Sequence, residues 1–375
     1  MSSISDSRQA PQISTMTVVS SVVGMFTARL GSLNALEQTN NSPIWRRMLG
    51  ELPASADTVG RVTAKIISDS IRLANRRLYS TCKRNKALLP PVHGLIALAI
   101  DGHESSCSSH KWCEQCLERN THANGIQYYH RNVTAQLIFK NFTWLVDAEP
   151  QLPGEGELTA AKRLYERIVK MYPRAFDVVV ADALYGTLPF IRQVLDSGKD
   201  IIAVLKANAG AVLDQANHIL DQTLPTIIVE NRVQKELRET DEVAFGINQT
   251  IRVIRSTERT AGDLDAKPTT WLWLTSLNRV RASTPTVVQL GHDRWKIENQ
   301  GFNETTNRWS SDHVYKHDAG AILNFWLLCM VSFNTFMCFL FRNLKPIVRL
   351  QYTMQHIAKI IQSELYLEPA PVKPP

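Results

Sequence analysis

Cysteine is scarce in this sequence, with six among 375 residues, and three of them lie between positions 107 and 116. A small secreted domain held by disulfides spreads many cysteines along a short chain, so this usage argues against that class and indicates a reducing cytoplasm. The N-terminus also lacks a basic run followed by an apolar core and a small-residue cleavage site. We therefore expect a cytoplasmic protein.

Long hydrophobic runs are equally rare. Only Ile322–Phe341 has the length and apolarity of a membrane span, and Asn324, Ser332, Asn334 and Thr335 interrupt it. A span that stands alone and carries these polar side chains is better explained as a buried core helix, because unpaired polar groups are costly in lipid. We predict no membrane association.

Several function classes lack their signature. The sequence has no glycine-rich phosphate loop, no GxSxG elbow and no dinucleotide fingerprint, so nucleoside triphosphates and nucleophilic serine chemistry are not indicated. It also has no internal repeats. A chain of 375 residues with 44% hydrophobic residues is long enough to bury a full core and to form two or three units.

Positive charge is confined to one part of the chain. Residues 1–93 hold 12 Lys and Arg against five Asp and Glu, an excess that equals the +7 of the whole protein. The remaining residues therefore balance to zero. This asymmetry predicts that the N-terminal quarter contacts a polyanion and that the rest can hold an acidic centre.

The basic side chains follow a helical pattern. Apolar residues recur at three- and four-residue spacing between Pro53 and Leu78, and the basic residues occupy much of what remains. A solvated face is one explanation, but charge of a single sign favours contact with DNA phosphates. The residues predicted to contact DNA are Arg61, Lys65, Arg72, Arg76, Arg77, Lys83 and Arg84.

Two acidic residues follow predicted buried strands. The run GLIALAIDG ends near Asp101, and Asp182 comes directly after the β-branched run that starts at Asp177. Continuous apolar runs of this length are typical of strands buried on both faces. A single Asp at a strand end is more often a cap, but neighbouring strands that both end in a carboxylate can share a divalent ion.

A third acid lies on a predicted helix from Val287 to Arg308. Arg294 and Glu298 are four residues apart and share one helical face, so an arginine for a phosphate oxygen stands beside a carboxylate for a metal. We also expect Lys296 to contact DNA. Three acids of this kind are what a two-metal phosphodiester site requires, with Mg²⁺ or Mn²⁺ as the pair of ions.

These blocks resemble a known family. AIDGHE, VVADALYG and RWKIENQGFNETTNRWSSDHVYKHD look like the three acidic blocks of bacterial insertion-sequence transposases of the DDE type, in the insertion-sequence-four group. PASADTVGRV and GEGELTAAKRLYERI add to the likeness. The resemblance implies catalysis by Asp101, Asp182 and Glu298 with two divalent ions, normally Mg²⁺. It also implies double-stranded DNA as partner, both element ends and target, and a homodimer on paired ends.

The resemblance also implies an α/β fold with five segments. A helical DNA-binding region (1–92) precedes the first part of an RNase H-like mixed-sheet core (93–208). A β-rich insertion (209–286) interrupts that core before its C-terminal helices (287–345), and a helix and tail (346–375) follow. TIIVE, TIRVIRS and TTWLWLT are the predicted strands of the insertion.

Two positions depart from the family pattern. The group usually has Tyr, Arg, Glu and Lys at set intervals in its last block, but here Gly291 replaces the Tyr and Thr305 replaces the Lys. Arg308, one turn beyond Thr305, is our expected substitute. A plain metal-dependent nuclease and a non-catalytic DNA-binding relic or repressor remain as alternative functions.

A second group of residues has metal-ligand chemistry. Cys107, His110, Cys113 and Cys116 stand at every third position, and all are zinc ligand types. Zinc and free thiols are equal alternatives, because zinc sites usually separate two ligand pairs by a dozen or more residues. His103, His122 or His130 could replace one ligand. For His313 and His317, capping or surface roles are favoured.

Overall fold

The computed structural model describes residues 4–111, 113–121, 125–246, 249–262 and 267–366. Five helices come first, as the periodic pattern predicts, and the first, fourth and fifth pack on a long apolar helix near the C-terminus. They are α1 (Thr15–Thr27), α2 (Leu33–Gln38), α3 (Pro43–Leu49), α4 (Ala56–Thr63) and α5 (Ser68–Arg84).

The first part of the core alternates strands and helices after an initial meander. Its elements are β1 (Ala97–Ser108), β2 (Leu117–Thr121), β3 (Gly125–Ile138), β4 (Thr143–Pro150), α6 (Glu157–Met171), β5 (Val178–Ala181), α7 (Leu188–Asp196) and β6 (Asp200–Val204). β1, β5 and β6 run parallel in the middle of the sheet, and β5 is buried along its whole length. This confirms the predicted α/β class.

The remaining elements begin with the insertion. They are α8 (Gly210–Gln222), β7 (Thr226–Glu230), β8 (Val233–Ala244), β9 (Thr250–Thr260), β10 (Thr269–Thr275) and α9 (Thr284–Asp293), then α10 (Asn303–Trp309), α11 (Ala319–Cys338), α12 (Pro346–Gln351) and α13 (Met354–Tyr366). The predicted insertion strands are β7, β9 and β10, whereas the sequence pattern did not reveal α8 and β8.

One mixed sheet joins the two parts. Its order is β2-β3-β1-β5-β6-β10-β9-β8-β7, with β4 also paired to β3. β10 pairs with β6 in the antiparallel sense, from Trp273 opposite Val204 to Thr275 opposite Ile202. The insertion therefore extends the central sheet instead of forming a separate layer.

α11 is the core helix that the apolar run predicted. Together with the turn after it, it is the one helix in the described part of the chain long and apolar enough to cross a membrane, and 72% of its most apolar window is buried. Its polar residues have internal partners. Asn324 donates to the carbonyls of Thr63 and Ile66, and Asn334 donates to the carbonyl of Leu145. These hydrogen bonds tie α11 to the N-terminal helices and to β4.

Two predicted elements differ in detail. β1 does not end at Asp101, because antiparallel pairing with β3 carries it on to Ser108. The helix predicted from Val287 to Arg308 is interrupted by a π-helical turn, Ile297–Phe302, between α9 and α10. Such turns often lie at functional sites, and this one contains Glu298.

Candidate active site

The central parallel strands bring Asp101 and Asp182 to the same edge of the sheet. Ile100 opposite Ala181 is the last pair of the β1–β5 ladder, so the residue that follows this pair is Asp101 on one strand and Asp182 after the other. The carboxyl ends of parallel strands are a common location for functional side chains. Lys206 follows β6, the next parallel strand, and its Nζ lies 3.1 Å from Oδ1 of Asp182.

Arg294 joins the first and third acids. Its Nη1 donates to Oδ2 of Asp101 at 3.1 Å and to Oε1 of Glu298 at 2.9 Å. The Arg294 side chain is only 9% exposed, whereas that of Glu298 is 47% exposed. The residue four positions before Glu298 therefore anchors it beside Asp101, as the shared helical face predicted.

The two strand acids differ in their electrostatics. Burial raises the pKa of Asp101 to about 6, against the opposing effect of Arg294, and the nearby carboxylates Glu298 and Glu157 add to the rise. Burial also acts on Asp182, but hydrogen bonds from the Ala183 N–H and Lys206 outweigh it and lower its pKa. The negative charge of Asp101 is therefore only partly compensated by Arg294.

A fourth carboxylate supports this edge. Glu157 accepts a hydrogen bond from the buried Tyr185 hydroxyl at 2.6 Å and another from Arg131 at 3.0 Å. It packs directly over Gly102, where any Cβ would overlap it. The residue after Asp101 must therefore be glycine for Glu157 to occupy this position.

Asp101, Asp182 and Glu298 offer only carboxylate oxygens, which is the ligand chemistry that Mg²⁺ and Mn²⁺ prefer. Two of them share an arginine and the third pairs with a lysine, so two cations face three carboxylates. The raised pKa of Asp101 indicates that more positive charge would be stabilising there. The site chemistry therefore fits divalent ions.

Gly291 and Thr305, the two departures from the expected pattern, both lie in closely packed surroundings. A side chain at Gly291 would overlap the buried indole of Trp273, so the space for a tyrosine is filled. Thr305 is fully buried, and its hydroxyl donates to the Gly301 carbonyl. Of the other predicted contacts, Arg308 is exposed at the end of α10. The Nζ of Lys296 lies 2.9 Å from Asp293.

The prediction that Arg72 contacts DNA is wrong. Its side chain is 8% exposed and lies beside the buried stripe of α5, where it donates to Asp147 at 2.8 Å and to the Ala148 carbonyl at 2.9 Å. Asp69 accepts a further hydrogen bond from it. This arginine joins α5 to β4 and cannot reach a phosphate.

The other basic residues of this region lie on the surface. Arg61 and Lys65 line a cleft of about 580 Å³ together with Arg8 and Lys316. Further along α5, exposed basic residues line a smaller groove of about 350 Å³, namely Arg76, Arg77 and Arg84. Lys83 is exposed as well, and its Nζ donates to the Arg174 carbonyl.

The metal-ligand types form a different set from the predicted one. Cys113 and Cys116 meet His130 and His317, and the four ligand atoms lie within 4.8 Å of one another. Burial lowers the pKa of His130 to about 4, with a further effect from His317. His317 thus pairs with the cysteines and not with His313, which packs against Tyr315.

Cys107 and His110 are not part of this cluster. Cys107 lies on β1, which continues as a strand to Ser108, and His110 lies just after the end of that strand. Cys107 is exposed, and its Sγ lies 3.7 Å from Nη2 of Arg119. The ring Nδ1 of His110 lies 3.0 Å from the Ser109 hydroxyl oxygen. Among the predicted substitutes, His103 stacks on Phe302 with the ring centroids 4.5 Å apart. His122 lies outside the described residues.

Sequence reasoning missed Lys206 and Glu157, and it favoured a capping or surface role for His317. Lys206 could have been found from its position after a third buried strand, and Glu157 from its place at the start of a helix. His317 gave no such signal, because 201 residues separate it from Cys116.

Comparison with known families gives a match over most of the chain. The model of the family described as "Transposase DDE domain" matches residues 94–335, which include all three acids. No curated protein gives a significant match to the chain.

Proposed function

This chain belongs to the transposase DDE domain family, and from that membership we propose that it cleaves the ends of a DNA element and joins them to target DNA. Its mixed α/β sheet agrees with the RNase H-like core of such enzymes. The family acts on DNA and generally uses divalent metals. The cut-and-paste route, the residues and the ions are our proposal.

The observation that carries the proposal is the shared arginine. Asp101 and Glu298 are 197 positions apart in sequence, yet both accept a hydrogen bond from Nη1 of Arg294. Asp182 stands one strand away at the same sheet edge. That two acids share one arginine, with the third on the neighbouring strand, supports the proposal that all three form one site.

Each residue has a role in this proposal. Asp101, Asp182 and Glu298 hold two divalent ions, normally Mg²⁺, which when bound supply an activated water and stabilise the departing 3′ oxygen. The Gly102 N–H, which donates to Oδ1 of Asp101 at 2.9 Å, fixes one of these carboxylates. Arg294 orients two of the acids. Its side chain is only 9% exposed and held by these carboxylates, so we do not propose the direct phosphate contact that the sequence suggested for it.

The reaction has two steps at one site. Water attacks the phosphodiester at the element end, and the bond to the 3′ oxygen breaks to leave a 3′ hydroxyl on the element. That hydroxyl then attacks a target phosphodiester, forming a new P–O bond and releasing a target 3′ hydroxyl. No covalent protein intermediate is needed, so no nucleophilic side chain is required.

The basic surfaces supply DNA contacts. The groove lined by Arg76 and Arg77 has no acidic residue in its lining. The cleft lined by Arg61 and Lys65 is more mixed in charge, because Asp318 lines it and Arg61 pairs with Asp57 at 3.0 Å. Such surfaces bind phosphates and fix the register of the duplex. We propose that they hold the element ends, and that a homodimer pairs two ends.

Glu298→Gln is the decisive variant. We expect cleavage of element-end DNA in Mg²⁺ to fall by at least about a hundredfold, because a neutral amide is a poor ligand for a hard cation. Binding of the same DNA should be unchanged. Asp196→Asn, which removes one negative charge from an exposed position at the end of α7, is the matched control and should cleave normally.

The test substrate is DNA taken from the sequence that flanks the gene on each side, where we expect the ends of the element to lie as inverted repeats. Joined products with a target duplex support the transposase, whereas hydrolysis without joining would indicate a plain nuclease. DNA binding without cleavage by the unmodified protein would indicate a non-catalytic relic. Full cleavage by the Glu298→Gln variant would disprove the site.

A further inference from the structure

We propose that Cys113, Cys116, His130 and His317 bind one zinc ion with a structural role, at a site separate from the three acids. The proposal does not depend on the transposase reaction. It rests on ligand chemistry, on the distances between ligand atoms, and on the elements that the four residues would join.

The four residues form a Cys₂His₂ set, which is a common ligand set of structural zinc. Cys113 and Cys116 occupy one turn, in which the Cys116 N–H donates to the Cys113 carbonyl at 3.2 Å. His130 lies on β3, opposite β1, and His317 stands just before α11. Two of the ligands thus form a Cys-x-x-Cys pair, and the two histidines lie further along the sequence.

The distances between ligand atoms match a tetrahedron around zinc. Zn–S bonds of about 2.3 Å and Zn–N bonds of about 2.05 Å give tetrahedral edges of about 3.8 Å between two sulfurs and about 3.6 Å between sulfur and nitrogen. The Cys113–Cys116 Sγ distance is 3.7 Å. Both sulfurs lie 3.5 Å from Nε2 of His130, and Cys116 lies 3.7 Å from Nε2 of His317.

A redox pair of thiols explains these contacts less well. At 3.7 Å the two sulfurs are not bonded to each other, since a disulfide bond is about 2.05 Å long. A thiol pair also requires no imidazoles, whereas two Nε2 atoms converge on it here. Cys116 is only 5% exposed, which is typical of a structural ligand and limits access by an oxidant.

The site would join parts of the chain that are far apart in sequence. Cys116 leads directly into β2, and His317 ends the segment that connects α10 to α11. Close by, His103 on β1 stacks on Phe302 of the π turn that carries Glu298. Zinc would therefore join the β2–β3 hairpin to the segment between α10 and α11, which follows Glu298 in the chain. Four protein ligands leave no position for a substrate or water, so the ion is structural.

The first experiment measures metal content. The full chain is purified with a reductant and without added zinc, and its zinc is quantified by mass spectrometry. We expect one zinc per chain in the native protein. In Cys116→Ser and in His317→Ala, each of which removes a direct ligand, the zinc content should fall at least about fivefold. Cys107→Ser and His110→Ala change the same residue types in the same segment and should retain the ion.

The second experiment keeps the native sequence, so it decides the matter even if a variant fails to fold. Co²⁺ exchanged into the protein should give the visible absorption of a tetrahedral site and a thiolate charge-transfer band. Removing zinc with a chelator should lower the Tm of the native protein. The absence of zinc, of both absorption features and of any change in Tm would overturn the proposal, as would full zinc retention in folded Cys116→Ser.

The result is independent of the catalytic site. Glu298→Gln should bind zinc like the native protein, because Glu298 is not among the four ligands. Loss of zinc with cleavage retained would mean that the ion stabilises the fold only. Loss of cleavage in Glu298→Gln with zinc retained would show that the two sites fail separately.

Discussion

Asp101→Asn should make the protein more stable while it abolishes cleavage. Burial holds the pKa of Asp101 at about 6, above its ordinary value of 3.8, even with Arg294 beside it. At pH 7 the carboxyl is ionised in both the folded and the unfolded chain. Its ionisation therefore costs the metal-free fold free energy, and the neutral amide removes that cost.

The size of the effect follows from the shift. A rise from 3.8 to about 6 corresponds to about 3 kcal/mol of unfolding free energy. The Asp101 side chain is 20% exposed, so solvent screens this cost only in part. Because the folded state holds the proton more tightly, the native protein gains stability as the pH falls through 6. Its deficit against Asp101→Asn should be largest at pH 7 and small near pH 4.

Urea unfolding of the two proteins in a chelator, at pH 7 and at pH 4.5, measures both the deficit and its pH dependence. Asp196→Asn is the control and should unfold like the native protein at both values. Added Mg²⁺ should stabilise the native protein more than Asp101→Asn, since the ion binds the carboxylate. If Asp101→Asn unfolds at lower urea than the native protein at pH 7, or if the difference does not depend on pH, the electrostatic reasoning is refuted.

Two further predictions concern residues away from the three acids. Arg72→Ala should lower the free energy of unfolding by about 2 kcal/mol, because the buried Asp147 loses one of its two arginine partners and keeps only Arg167. Arg76→Ala should change stability by less than about 0.5 kcal/mol but weaken DNA binding and reduce its salt dependence. Equal effects of the two variants on stability would contradict the buried position of Arg72. Gly291→Ala should cost about 1–3 kcal/mol in a thermal or urea unfolding experiment, since its Cβ would overlap Trp273. An unchanged Tm would show that the indole can move aside.

Local patterns predicted the central strands and the acids that follow them. The run before Asp182 is a four-residue strand buried throughout, and Asp101 lies where β1 parts from β5. Apolar runs of this kind are informative because both faces of a central parallel strand must be covered. The four-residue spacing of Arg294 and Glu298 placed both on one face, and the structure brings them together at Asp101.

Local patterns were less informative about the roles of charged and ligand side chains. Arg72 shares the sign and spacing of its exposed neighbours, but it lies next to the stripe formed by Ile71 and Asn75 and turns inward to Asp147. The four predicted zinc ligands are close together in sequence, between positions 107 and 116. The observed cluster instead includes His317, which follows Cys116 by 201 positions.

The sequence by itself therefore determined the fold class and the family and supplied the three acids that we propose as the site, because strand burial, helical spacing and the acidic blocks are properties of short segments. Only the tertiary structure decided which arginine is buried against β4 and which are exposed, what surrounds residues 291 and 305, and which four residues share the cysteine cluster. The physical reason is that a side chain's partner is set by the packing of distant segments. Spacing along one segment defines a face but not what that face meets.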